Sequence, residues 1–162
     1  MAVVKMDWEQ DVRSATRLLC GRTFVHYTQG GKNYQGIIRE ICGYEPKEGP
    51  REDLFSEPPG TIVLWSYRGG KITNIAAHEY DDKGLVEIRG VLVGEEEVGP
   101  LSFTKDFKLA KMDGTRVRRT PGTGIYIVET PGLEEQRLKP VDVLNKVDHP
   151  PHRVAHWKLE KS

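Results

Sequence analysis

The stretch from Pro59 to Arg89 constrains this chain more than any other. It opens on Pro59-Gly60-Thr61, runs through apolar Ile62 to Trp65, and turns at Arg68-Gly69-Gly70-Lys71. It returns through Ile72 to Ala77, turns again at Asp81-Asp82-Lys83-Gly84, and continues as Leu85-Val86-Glu87-Ile88-Arg89. Short apolar runs separated by turn-forming residues predict an antiparallel meander. The first hairpin carries Arg68 and Lys71 at its tip, the form of a probe that enters a groove.

The flanking sequence supplies what a meander needs to bury a face. Asp7, with Gln10 three residues on, reads as a helix N-cap, and Trp8, Val12, Ala15, Leu18 and Leu19 recur at helical spacing up to Gly21. A helix is therefore expected over Trp8–Cys20. Arg22–Thr28 and Tyr34–Cys42 read as strands joined by the glycine-bearing loop Gln29-Gly30-Gly31-Lys32-Asn33, with Gly43 freeing the backbone for a bend. Glu45–Pro59 is proline- and acid-rich and reads as a surface loop. Gly94–Gly99, with Glu95-Glu96-Glu97, reads as an acidic turn, and Gly99-Pro100 introduces a second helix, Leu101–Met112. Thr115–Gly124 is basic, Ile125–Val128 is a strand, and Arg153–Leu159 a final strand. The expected fold is α+β: one domain over residues 1–162, a twisted, mostly antiparallel sheet with an N-terminal helix and one later helix packed on it.

Composition narrows the function classes. The 162 residues suffice for one domain with a real core, and no apolar run reaches membrane-spanning length. The N-terminal residues lack a secretory apolar region, and Cys20 and Cys42 alone do not make a disulfide scaffold, so an intracellular protein (cytoplasmic, nucleoid or nuclear) is expected. His26, His78, His149, His152 and His156 do not combine with the cysteines in zinc spacing. No phosphate loop, nucleophile elbow or His-Glu-x-x-His is present. Charge balances, 24 basic against 24 acidic residues, so nucleic-acid binding must rest on a local basic face such as Lys105–Arg119. Glu40, Cys42, Tyr44, Trp65, Tyr67, Asn74 and Arg89 stand out as polar and aromatic groups at strand ends, where sheet packing and solvated charge are the bland explanations.

In order and spacing, several segments together resemble the alkyladenine (3-methyladenine) DNA glycosylase family, over roughly Thr16 to Val128. They are Leu18-Leu19-Cys20-Gly21 with Phe24-Val25; Gly36 to Tyr44, against the family's Val-Glu-Thr-Glu-Ala-Tyr strand; Pro59-Gly60-Thr61 leading to Asn74; Leu85 to Arg89; and Gly99-Pro100 opening a helix. The resemblance implies a monomeric, cofactor-free base-excision repair enzyme. Such an enzyme flips a damaged purine out of double-stranded DNA and hydrolyses its N-glycosidic bond. It implies Tyr44 and Trp65 as aromatic walls for the flipped base, Asn74 as the residue that reads exocyclic groups, and Arg89 as a holder of the nucleophilic water. Tyr67 or Arg68 would be the wedge. Where the family has its catalytic carboxylate, this chain has Cys42. Glu40, two residues earlier, is the nearest substitute, with Glu45, Glu52 and Asp53 on the following loop as further acids. Asp53 stands near the family's pocket histidine, and the segment before Gly99-Pro100 is shorter than the family's. The alternative is a catalytically degenerate nucleic-acid-binding or structural module on the same fold.

Overall fold

A computed structural model describes residues 3–4, 6–27, 33–45, 58–67, 70–79, 83–98, 115–118, 125–128, 137–144 and 153–161. In chain order the elements are β1 (Val3–Val4), α1 (Val12–Leu19), β2 (Thr23–Tyr27), β3 (Asn33–Tyr44), β4 (Thr61–Tyr67) and β5 (Gly70–Ala76). There follow β6 (Leu85–Val93), β7 (Glu96–Val98), β8 (Thr115–Arg118), β9 (Ile125–Val128), β10 (Leu138–Asp142) and β11 (Arg153–Lys161). The strands form a sheet in the order β1-β9-β2-β3-β6-β5-β4-β8, with β11 and β10 branching from β3, and β7 from β6. Among the described residues every pairing is antiparallel. The architecture is α+β, and the meander is β4-β5-β6. The second helix expected over Leu101–Met112 lies outside the described residues.

Strand β3 organises the sheet. One edge pairs with β6 from Ile37 to Tyr44. The other edge is shared: Asn33–Ile37 pairs with β2, and Glu40–Tyr44 with β11. Both β3 and β6 are irregular where they meet. The register shifts between Ile38, Glu40 and Ile41 opposite Val91, Gly90 and Ile88. The irregularity keeps Ile38 and Ile41, three apart, both in the core, with Val91 and Ile88 opposite them. This irregularity falls at Glu40, and a second lies in β11 between Arg153 and Ala155, opposite Tyr44 and Gly43, where the sequence had suggested a bend.

Helix α1 covers one face of this centre. Val12, Ala15, Thr16 and Leu19 are its buried stripe, and Gly21 at φ 95° turns the chain out of it. Val12, Ala15 and Leu19 share one core cluster with Ile38, Ile41, Val86, Ile88, Ile75 and Leu159. Gly43 lets the helix come close: a Cβ there would lie 3.2 Å from Val12 Cβ, Thr16 Cγ2 and Ala155 Cβ. The bare backbone at residue 43 therefore serves helix–sheet contact.

The helix differs from the sequence expectation at its start and in one face residue. It begins at Val12, and its N-cap is Asp11, whose Oδ1 accepts from Ser14 N at 3.0 Å and whose Oδ2 accepts from Ser14 Oγ at 2.7 Å. Asp7 instead accepts from Glu9 N at 2.9 Å, a local turn that spends the candidate cap outside the helix. Trp8 is held off the helix because its carbonyl accepts from His78 N at 3.0 Å and its ring packs over Gly60. Leu18 is 45% exposed rather than on the buried face. Glu95–Glu97 is not all turn: Gly94, at φ 65°, lets Glu96–Val98 fold back on β6. Among the described residues no helix is long and apolar enough to cross a membrane.

Candidate functional site

The face of β3 away from α1 is polar. Alternation puts Cys42 and Tyr44 opposite to Ile41 and Gly43, which face the helix. Across the ladders, Cys42 stands opposite His156 of β11 on one side and Glu87 of β6 on the other. Glu87 in turn stands opposite Asn74 of β5, Asn74 opposite Val63 of β4, and Val63 opposite Arg116 of β8. One cross-strand row therefore reads His156, Cys42, Glu87, Asn74, Val63, Arg116. Directly opposed residues share a face with their Cβ atoms about 5 Å apart.

Two polar clusters sit on this row, one on each side of Cys42. In the first, Glu87 Oε1 accepts from Tyr44 OH at 3.1 Å and meets Arg89 Nε at 3.2 Å. Arg89 Nη1 reaches Cys42 Sγ at 3.8 Å. The Arg153 guanidinium lies 5.6 Å from the centroid of the Tyr44 ring. In the second, His156 Nε2 meets Glu40 Oε2 at 2.6 Å. The side chains open gradually to solvent: Glu87 is 14% exposed, His156 15%, Glu40 21% and Arg89 35%. Cys42 and Asn74 are buried.

The electrostatics separate the two carboxylates. Burial pushes the Glu87 carboxyl above the ordinary glutamate range, against the pull of Arg89 and the Tyr44 hydroxyl. The hydrogen bond from His156 holds Glu40 below that range, outweighing burial. Burial pushes the Cys42 thiol up to about 11, so at neutral pH it is a neutral, non-nucleophilic group. Burial also raises the Tyr44 phenol, which leaves its hydroxyl a donor. Cys20, the C-cap of α1, is the other free thiol, buried and raised to about 12 by that burial.

The structure brings together Glu40, Cys42, Tyr44, Asn74 and Arg89 of the residues the sequence singled out. Trp65 pairs with Ile72, two positions along β4 from Val63, and Tyr67 pairs with Gly70 where the hairpin closes. Arg68, Glu52 and Asp53 lie outside the described residues, and Glu45 is exposed. Glu40, the acid the sequence offered for residue 42, stands on the same face, opposite Lys158 and two residues from Cys42. The register shift sits at Glu40, and its carboxylate is engaged by His156.

Sequence reasoning passed over Glu87, Arg153 and His156. Glu87 was within reach, being two residues before Arg89 on one strand and so on its face. Arg153 and His156 become neighbours of Tyr44 and Cys42 only through the β11–β3 pairing, which no local pattern announces. Among the described residues no group of three or more His, Cys, Asp or Glu is placed to hold a metal ion. No protein-family model matches the chain, and no curated protein matches it.

Proposed function

We propose that this protein binds double-stranded DNA, turns a purine nucleotide out of the duplex, and hydrolyses its N-glycosidic bond at the Cys42–Glu87–Asn74 row. The observation that carries the reading is Glu87. Where Cys42 leaves the strand without an acid, the residue opposite it supplies one, buried and shifted toward neutrality. A carboxylate so shifted is a stronger base than Glu40, whose lowered pKa reflects its bond to His156.

The chemistry follows from this placement. Among the described residues the Tyr44 and Arg89 contacts of Glu87 fall on Oε1, and Oε2 would take a proton from water. The water oxygen bonds to C1′ as the C1′–N bond breaks, and the bonding pair leaves with the base. The Glu87 carboxylate also stabilises oxocarbenium character at the sugar. Arg89, joined to Glu87, helps to hold the water, and Asn74 reads the base edge. Tyr44 and Trp65 wall the base. The Tyr44 ring already attracts a cation, Arg153, which is the electrostatic preference a cationic alkylpurine would use. The β4–β5 hairpin supplies the wedge from Tyr67 or Arg68, and Arg116 and Arg118 of β8 supply local positive charge beside β4.

The test is single-turnover base release from duplexes carrying 3-methyladenine, hypoxanthine or ethenoadenine. Release of at least one base, leaving an abasic site, supports hydrolysis. Steeply salt-dependent duplex binding without release would instead make this a nucleic-acid-binding module that lost its chemistry along with the acid at residue 42. Absence of both would leave a structural role for the fold.

A further inference from the structure

We infer that the Arg153 guanidinium holds the seat of the flipped base on Tyr44 and gives it up when a base enters, so that Arg153 sets how readily bases are admitted; this rests on the reading of Tyr44 as a wall of the base pocket. The ring has two flanks. Across the β6 ladder Tyr44 stands opposite Leu85, which is 2% exposed, and its hydroxyl is bonded to Glu87. Across the β11 ladder it stands opposite Arg153, with the guanidinium carbon 5.6 Å from the ring centroid. The β11 flank is the one left for a stacked base, and a cation already lies on it.

A bulge puts it there. His156 pairs with Cys42 and Ala155 with Gly43, so an unbroken ladder would set Val154 against Tyr44. Instead the register shifts between Arg153 and Ala155, and Val154 packs on the core. The Val154 carbonyl accepts from Arg13 Nε of α1 at 3.2 Å. An apolar neighbour of Tyr44 is thereby exchanged for a guanidinium, the re-aiming of a side chain that bulges provide.

The contact is one that can be given up. Arg153 is the first residue of β11 and half-buried, so solvent is near. Its Nε is buried and, among the described residues, has no hydrogen-bond partner; that donor regains water when the side chain swings out. A guanidinium and a purine are both flat, and they cannot share one ring flank. Base entry is therefore a displacement, and the apparent affinity for any base is lowered by the fraction of protein whose seat is filled. Arg153 has left in every base-bound state, so its removal favours cationic and neutral bases by one common factor.

The experiment compares wild type, Arg153→Gln and Arg153→Lys in single-turnover release of 3-methyladenine (cationic) and hypoxanthine (neutral) from duplexes at saturating protein. The pH is kept above the carboxylate range, and folding is checked by circular dichroism. A duplex carrying 2-aminopurine, which brightens on leaving the stack, reads admission without chemistry. Arg153→Gln should release both bases about 3- to 30-fold faster, the worth of a cation–π contact, and should brighten 2-aminopurine more than wild type does. Arg153→Lys keeps the charge without the flat guanidinium and should fall between, which also serves the test if glutamine unfolds the strand. Release by folded variants that is no faster than wild type, or faster on one base alone, overturns the inference while the hydrolytic reading stands. If no protein releases a base, the hydrolytic reading falls; a brighter 2-aminopurine signal with the variants then keeps the inference, and an unchanged signal removes it as well.

Discussion

The two faces of β3 are one residue apart in sequence and opposite in character. The face toward α1 presents Ile38, Ile41 and Gly43, packed on Ile88, Val86 and Val12, with no charge to solvate. The other presents Cys42 and Tyr44, set among Glu87, Arg89, Arg153 and His156. Apolar burial on the first face drives folding. On the second, desolvation of Glu87 outweighs its contacts, as its raised pKa records. Polar groups kept at such a cost point to chemistry. The one face makes the fold stable, and the other spends part of that stability on a largely buried acid.

The comparison can be broken or sharpened by substitution. Ile41→Ala, which opens a cavity under α1, should lower unfolding free energy by about 2–5 kcal/mol in urea titrations. Gly43→Ala should cost about 1–3 kcal/mol, since the new methyl meets Val12, Thr16 and Ala155 and must shift the helix. Asp11→Ala removes the N-cap and should cost about 1 kcal/mol, whereas Asp7→Ala should cost clearly less; the reverse order would contradict the observed helix start.

The two carboxylates of the polar face should respond to pH with opposite sign. The Glu87 pKa is raised, so its contribution is present below the ordinary glutamate value and lost as pH rises through the folded value. Glu87→Gln should therefore gain stability relative to wild type between acid and neutral pH. The Glu40 pKa is lowered, so its contribution is present above the ordinary value and lost as pH falls through the folded value. Glu40→Gln should thus be less stable than wild type at neutral pH and converge with it in acid. Urea midpoints measured from pH 3 to 8 would show both trends, and parallel curves for the two variants would contradict the separation of their environments.

The meander was legible because alternation and turn residues are local signals. The β4–β5 pairing runs from Ile62 opposite Ile75 to Tyr67 opposite Gly70, around the turn the glycines had marked. The helix start was misread because Asp7 carries the local cap signature, whereas tertiary contacts of Trp8 with His78 and Gly60 hold that segment outside the helix and Asp11 caps it. β10 was missed: Leu138–Asp142 contains Pro140 and lacks clear alternation, and it is a strand because β11 lies beside it. The candidate site divides in the same way. Cys42, Tyr44, Asn74 and Arg89 could be picked out within their own segments, whereas His156 is brought to Cys42 from the far end of the chain. Glu40 looked like the relocated acid because regular alternation puts it on the face of Cys42. The ladder with β11 keeps it on that face, opposite Lys158, with its carboxylate bonded to His156.

The most direct measurement is single-turnover release of 3-methyladenine from duplex DNA by wild type, Glu87→Gln and Glu40→Gln at neutral pH. With Glu87 as the group that activates water, wild type releases the base, Glu87→Gln is slower by at least about 100-fold though folded and DNA-binding, and Glu40→Gln stays within about tenfold of wild type. Release by Glu87→Gln at the wild-type rate, or loss in Glu40→Gln alone, would contradict the assignment of the acid opposite Cys42.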